Sequence, residues 1–131
     1  MSILVDTNII SELARRRPNA GVVAWANTVT TIVLSVITVE EIFFGLAWRP
    51  NARIQQWFEA FLAQQCSVVP VTMDIARAAG MLRGRFTMRG TPRSQADMLI
   101  AATAQIHQHT VVTRNIRDFE GCGIALLNPF R

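Results

Sequence analysis

Five short apolar runs punctuate this chain, at residues 3–5, 32–37, 68–71, 111–113 and 124–127. They are continuous or nearly so and rich in β-branched residues, as expected of strands buried on both faces of a parallel sheet. Between them the apolar period changes to that of a helix. Ile54, Trp57, Phe58, Phe61 and Leu62 mark one helical face after a break at Pro50-Asn51, and Ile75, Ala78, Ala79 and Leu82 mark a second, with Asp74 as its N-cap. Ala96, Leu99, Ile100, Thr103 and Ala104 mark a third, running towards His107, with Gly84, Gly90 and Pro92 as the break before it. Shorter helices fit residues 8–16 and 19–28, the latter capped by Asn19. Strands alternating with helices predict an α/β fold: a three-layer α/β/α domain around a mostly parallel five-stranded sheet. With 131 residues and neither internal repeat nor linker, residues 1–131 read as a single domain.

Half the residues are hydrophobic and 17% are charged, which excludes a disordered chain. The most apolar region, residues 31–48, is interrupted by Glu40 and Glu41 and so is not a membrane span. No basic segment followed by a signal-type apolar stretch opens the chain, and Cys66 and Cys122 show no disulfide or metal spacing. These features predict a cytoplasmic protein with reduced thiols. All thirteen basic residues are arginines, and the net charge is +4. The absence of lysine excludes Schiff-base and P-loop chemistry. A basic balance suits a polyanionic partner, and arginine grips phosphate in bidentate fashion. Arg77, Arg83, Arg85, Arg89 and Arg93 fall close together and read equally as a solvated face or as a nucleic-acid contact.

The placement of the acids carries the chemistry. Asp6 ends the first run, Glu41 follows the second, Asp97 opens a long helix and Asp118 follows the fourth run. Open α/β sheets bind ligands beyond the carboxyl ends of their strands. Carboxylates gathered there repel one another unless a cation neutralises them, and hard oxygen ligands suit Mg²⁺ or Mn²⁺. Each acid taken singly also reads as a helix cap, since Thr38-x-x-Glu41 is a capping box and Ser94-x-x-Asp97 is close to one. Asp6 differs, because Thr7 or Asn8 can cap the first helix without it. Spacing alone does not choose between Glu40 and Glu41.

The segments LVDTNIISEL (4–13), LSVITVEEIFFG (34–45), ADMLIAATA (96–104), VVTRNIRDF (111–119) and LLNPF (126–130) resemble, in order and spacing, the PIN-domain ribonucleases. The likeness is to the VapC-type toxins of toxin–antitoxin pairs and the related FitB-like proteins. That resemblance implies a metal-dependent endoribonuclease toxin using Mg²⁺ or Mn²⁺, with Asp6, Glu41 and Asp97 as the acidic triad and metal ligands. It assigns the triad position to Glu41 rather than Glu40. It makes Thr7, Asn8 and Thr113 supporting polar residues, with Asn115 as a neutral polar contributor. Some relatives carry a fourth acid where Asn115 stands here; Asp118, three residues on, takes that role or the site works with three acids. Arg85, Arg89, Arg93 and Arg114 become candidate RNA contacts. The implied partners are an RNA substrate, a VapB-type antitoxin whose tail blocks the acidic site, and a second copy in a homodimer that grows to a higher oligomer with the antitoxin.

The dense aromatic group Phe43, Phe44, Trp48, Trp57, Phe58 and Phe61 reads as core plus a partner surface. His107 and His109 are not needed for the chemistry. Two rivals stand beside this reading. A phosphatase with an aspartate nucleophile wants a second aspartate where Asn8 stands, and a lysine this chain lacks. A non-catalytic nucleic-acid- or partner-binding PIN-like module would use the acids only as caps.

Overall fold

The computed structural model describes residues 2–131. Five strands, β1 (Ile3–Val5), β2 (Ile32–Ser35), β3 (Cys66–Val69), β4 (Thr110–Val112) and β5 (Leu126–Leu127), all pair in parallel. They form two ladders, β1-β4-β5 and β2-β3, which meet where β1 runs beside β2. The expected five-stranded layer is therefore present as two hydrogen-bonded pieces with the spatial order β3-β2-β1-β4-β5.

Side-chain alternation along these strands builds the three layers. Leu4 and Val111 point into a core formed with Ile75, Leu82, Phe86, Met98 and Phe119. Ile3, Val5, Ile32, Leu34 and Val112 point the other way, onto Ile9, Ile10, Val22, Phe58 and Phe61. A period of two sends neighbours to opposite faces, so a strand apolar at every position must be covered on both sides. The first face is covered by α5 (Met73–Met88) and α6 (Gln95–His107), the second by α1 (Thr7–Leu13), α2 (Ala20–Ala26) and α4 (Ala52–Gln65). A further helix, α3 (Val36–Trp48), follows β2 directly.

Several boundaries differ from those expected. The run at 32–37 stops as a strand at Ser35, because the Ser35 hydroxyl accepts from Ile37 N–H and starts α3 there. Thr38 and Glu41 consequently lie inside a helix already under way, so they do not form a capping box. The third strand sits two residues earlier than the run at 68–71, since Pro70 cannot continue a ladder and Thr72 begins the next helix. Thr72, not Asp74, is the N-cap of α5, its hydroxyl accepting from Ile75 N–H at 3.3 Å. Gly84 lies within α5, and the chain turns only at Gly90, whose φ is +81°. In the fourth run Thr110 is in the ladder and Thr113 has left it. The fifth strand keeps only Leu126 and Leu127 of the run at 124–127.

The aromatic group divides. Phe58 and Phe61 are core, Phe43 packs on Phe58, and Trp57 stacks on Phe61. Phe44 and Trp48 are 66% and 71% exposed on α3. Cys66 and Cys122 are free thiols, and burial pushes that of Cys66 up to about 11. Among the described residues no helix is long and apolar enough to cross a membrane.

Candidate active site

All four singled-out acids line one cleft of about 580 Å³ at the carboxyl edge of the strands, with Asp6, Thr7, Asn8, Ser94, Arg114 and Asn115 among its walls. Asp6 is placed by the ladder: its N–H donates to Val112 carbonyl at 2.9 Å, continuing the β1–β4 pairing for one more residue. There the chain turns into α1, and Asp6 is both N-cap and cleft residue. Its Oδ1 accepts from Thr7 N–H at 2.8 Å. Its Oδ2 accepts from the Thr113 hydroxyl at 2.8 Å and the Asn8 amide at 3.0 Å. Asn8 Oδ1 in turn accepts from Arg114 N–H, and Thr113 Oγ1 from Asn115 N–H. A carboxylate only 5% exposed is thus surrounded by oriented donors. Burial nevertheless raises the pKa of Asp6; the Thr113 and Thr7 bonds oppose that rise, and the negative charges of Glu41 and Asp118 add to it.

Glu41 comes from the second turn of α3. The Thr7 hydroxyl donates to its Oε1 at 2.6 Å. That hydroxyl also lies 3.1 Å from Thr38 Oγ1. A hydroxyl has one hydrogen, so with Thr7's given to the carboxylate, the fully buried Thr38 is the donor to Thr7. Glu40, one residue away, is exposed and does not line the cleft. Asp97 opens α6, where the Ser94 hydroxyl caps the helix by accepting from Asp97 N–H at 3.1 Å. Its pKa is pushed up to about 6, first by burial and then by Asp6, Asp118 and Glu41, with Ser94 pulling the other way. Being a cap residue and a cleft carboxylate are therefore compatible at Asp6, and the first turn of α6 lies at the same edge.

Asp118 sits on a single 3-10 turn, Ile116–Asp118, and Asn115 precedes it; both reach the cleft. The turn is held by Arg93, whose guanidinium donates to the carbonyls of Asp118 at 2.7 Å and Glu120 at 3.0 Å while lying 4.0 Å over the Phe86 ring. Arg93 is thereby engaged with the protein's own backbone. Arg85 on α5 and Arg89 just after it are exposed but do not line the cleft, whereas Arg114 does, over the Phe130 ring. His107 ends α6 and His109 follows it, both at the opposite end of the helix from Asp97 and outside the cleft.

Sequence reasoning missed five lining residues as part of the site: Ser11, Glu12, Arg15, Phe130 and Ser94, the last read only as a cap. Glu12 is 7% exposed, accepts from Asn19 N–H at 2.7 Å and pairs with Arg15 at 3.2 Å. Its signal was a charged residue among the apolar positions of α1, which the caps nearer the strand end obscured.

The donor set is one of hard oxygens. Among the described residues no three acid, histidine or cysteine side chains converge tightly enough to enclose an ion. The residues nonetheless fit a cation such as Mg²⁺, which keeps several waters and needs only one or two carboxylates. Burial first, and then neighbouring acids, raise the pKa values of Asp6 and Asp97, a cost that a bound cation would offset.

The family model of the PIN domain matches residues 3–121, a span holding every acid above. The chain belongs to the PIN domain family. Over 98% of its length and 97% of the relative's, this PIN domain is 37% identical to the VapC ribonuclease Y4jK of Sinorhizobium fredii. It superposes on FitAcB from Neisseria gonorrhoeae with a TM-score of 0.81 at 34% identity, covering 97% of each chain. With a toxin–antitoxin complex from Klebsiella pneumoniae the TM-score is 0.77 at 26% identity over 99% of both chains. The α/β architecture expected from the sequence is that of these PIN-domain structures.

Proposed function

We propose that this PIN domain is the toxin of a VapBC-type toxin–antitoxin pair, a divalent-metal-dependent endoribonuclease restrained by its antitoxin. The observation that carries the reading is the gathering of Asp6, Glu41, Asp97 and Asp118 around one cleft, with Asp6 held by three oriented donors. The relatives' names supply the activity and the kind of partner; the cleft supplies the residues. Structural caps alone would not require four carboxylates from four different segments to face the same space.

Asp6 and Asp97 would hold Mg²⁺ or Mn²⁺, with Glu41 as a third ligand or as the group that orients water. A cation bound there supplies Lewis-acid polarisation of a phosphodiester and lowers the pKa of a bound water. Thr7 occupies Glu41 Oε1 and leaves Oε2 free to accept the proton of an attacking water. The water oxygen forms the new bond to phosphorus while the bond to the 3′-oxygen breaks, and that oxygen takes up a proton. Thr113 and Asn8 keep Asp6 in one rotamer, so a ligand is already oriented when RNA arrives. Asp118 adds negative charge beside Asp6 and Asp97 and completes the ring of acids. The exposed rings of Phe44 and Trp48 supply a docking face for the antitoxin or a second copy.

The deciding experiment incubates purified protein with RNA and Mn²⁺ or Mg²⁺, with and without chelator, beside an Asp97→Asn variant of matched circular dichroism. Cleavage that needs metal and falls at least a hundredfold in the variant is expected. Equal cleavage by both proteins, or none under any condition, removes the assignment.

A further inference from the structure

A second concave surface adjoins the acidic cleft. It is lined by Arg15, Arg16, Arg17 and Arg53, and Arg15 belongs to both walls. Three of these arginines form the turn that follows α1; the fourth comes from α4. All four are exposed, yet two are anchored. Arg53 donates to the Ala14 carbonyl at 3.0 Å, pinning α4 to the end of α1, and Arg15 pairs with Glu12. That pair is the only ion pair among the described residues, so Arg16, Arg17 and Arg53 face solvent with their charge unneutralised by any carboxylate.

An acidic cleft repels the polyanion it must act on, and flanking positive charge is needed to hold the strand. Of the four arginines expected for this from the sequence, only Arg114 lines the cleft; Arg93 is committed to backbone carbonyls, and Arg85 and Arg89 are off the cleft. Only the turn after α1 offers several guanidiniums continuous with the cleft wall. We infer that the Arg15–Arg16–Arg17–Arg53 surface binds the phosphate backbone of single-stranded RNA on one side of the scissile bond, feeding the strand past Arg15 into the acidic cleft. The inference rests on the nuclease reading for its substrate but is tested by binding alone.

The test is fluorescence anisotropy with a fluorescein-labelled oligouridylate in chelator, so that no strand is cut, across a salt titration. Neutralising two phosphate-contacting charges lowers the salt slope for a single strand by about 1.4. Arg16→Gln/Arg17→Gln is therefore expected to cut the affinity lost between about 50 and 200 mM salt by about sevenfold relative to wild type. Arg16→Lys/Arg17→Lys should restore the slope, and Arg77→Gln/Arg83→Gln, equal in charge but on α5, should leave it unchanged. An unchanged slope in the Arg16/Arg17 glutamine variant overturns the inference. So does an equal loss in the α5 control, which would mean net charge alone. A slope that is unchanged while binding of an acidic protein partner falls would reassign the surface to that partner. Metal-dependent cleavage by wild type is scored separately: cleavage with no effect of Arg16 and Arg17 sinks only this inference, whereas the expected slopes without cleavage sink only the nuclease.

Discussion

Asp97 shows at single-residue scale what the site costs the fold. Its carboxyl titrates at about 6 instead of its ordinary 3.8, because burial and three neighbouring acids disfavour its charge. The folded protein therefore holds a proton that the unfolded chain has released, and stability declines as pH rises from about 4 through 6. Asp97→Asn removes that penalty. At pH 7 the metal-free variant should be about 1 kcal/mol more stable than wild type, less than the shift alone converts to because Asp97 is partly solvated. Mn²⁺ should reverse the order, raising the Tm of wild type and barely moving the variant. On the proposed reading its affinity should climb as pH passes 6, since a carboxyl must lose its proton to hold a cation. Thermal melts at pH 5 and 7 with and without Mn²⁺ check each step; a variant less stable than wild type in chelator would refute the account. In the sequence, Asp97 was visible as an acid at a helix start, but its perturbation was not, because that depends on burial in the folded cleft and on Asp6, Glu41 and Asp118, all more than a helix length away in the chain.

At the scale of elements, legibility followed the range of the interactions. α6 was read well, since its apolar face and Ser94 cap are local signals. β2 was read too long, because β-branched Val36 and Ile37 look like strand until Ser35 is seen to cap a helix. Three of the residues missed in the site, Ser11, Glu12 and Arg15, lie on or just after α1, on the face that turns to the cleft. The Asn19 cap of α2 was legible, but its second task was not. Its Oδ1 accepts from Gly21, Val22 and Arg131 N–H, and its Nδ2 donates to the Arg131 carbonyl at 2.9 Å. Asn19→Ala thus removes a cap and a tether together and should cost about 2 kcal/mol in urea unfolding. Gly21 belongs to the same junction: a Cβ there would lie 2.3 Å from the Pro129 carbonyl oxygen. Gly21→Ala must push away the strand-to-tail segment that carries Phe130 into the cleft, so it should impair RNA cleavage as well as stability. Retention of both in Gly21→Ala would show that the tail can yield freely.

For the molecule as a whole, two regions of the surface carry unlike chemistries. The acidic cleft passes at Arg15 into a basic turn, while the outer side of α3 exposes Phe44 and Trp48. On the proposed reading the first serves RNA and the second a protein partner. Phe44→Glu/Trp48→Glu should leave the unfolding midpoint of the isolated chain almost unchanged, since both rings already lie in water. It should weaken antitoxin binding or self-association at least tenfold by calorimetry or light scattering; a lower midpoint with unaltered association would make these rings core after all.

Trp48 has a further use. The chain contains three tryptophans and no tyrosine, so its near-ultraviolet emission is that of indole alone. Trp25 and Trp57 are partly buried, and Trp48 is largely in water. A Trp48→Phe protein would report folding through the two inner indoles. The difference between its spectrum and that of wild type isolates the outer one, whose emission moves to shorter wavelength whenever a partner excludes water from α3. Assembly and unfolding can thus be followed as two separate optical signals in one unlabelled sample.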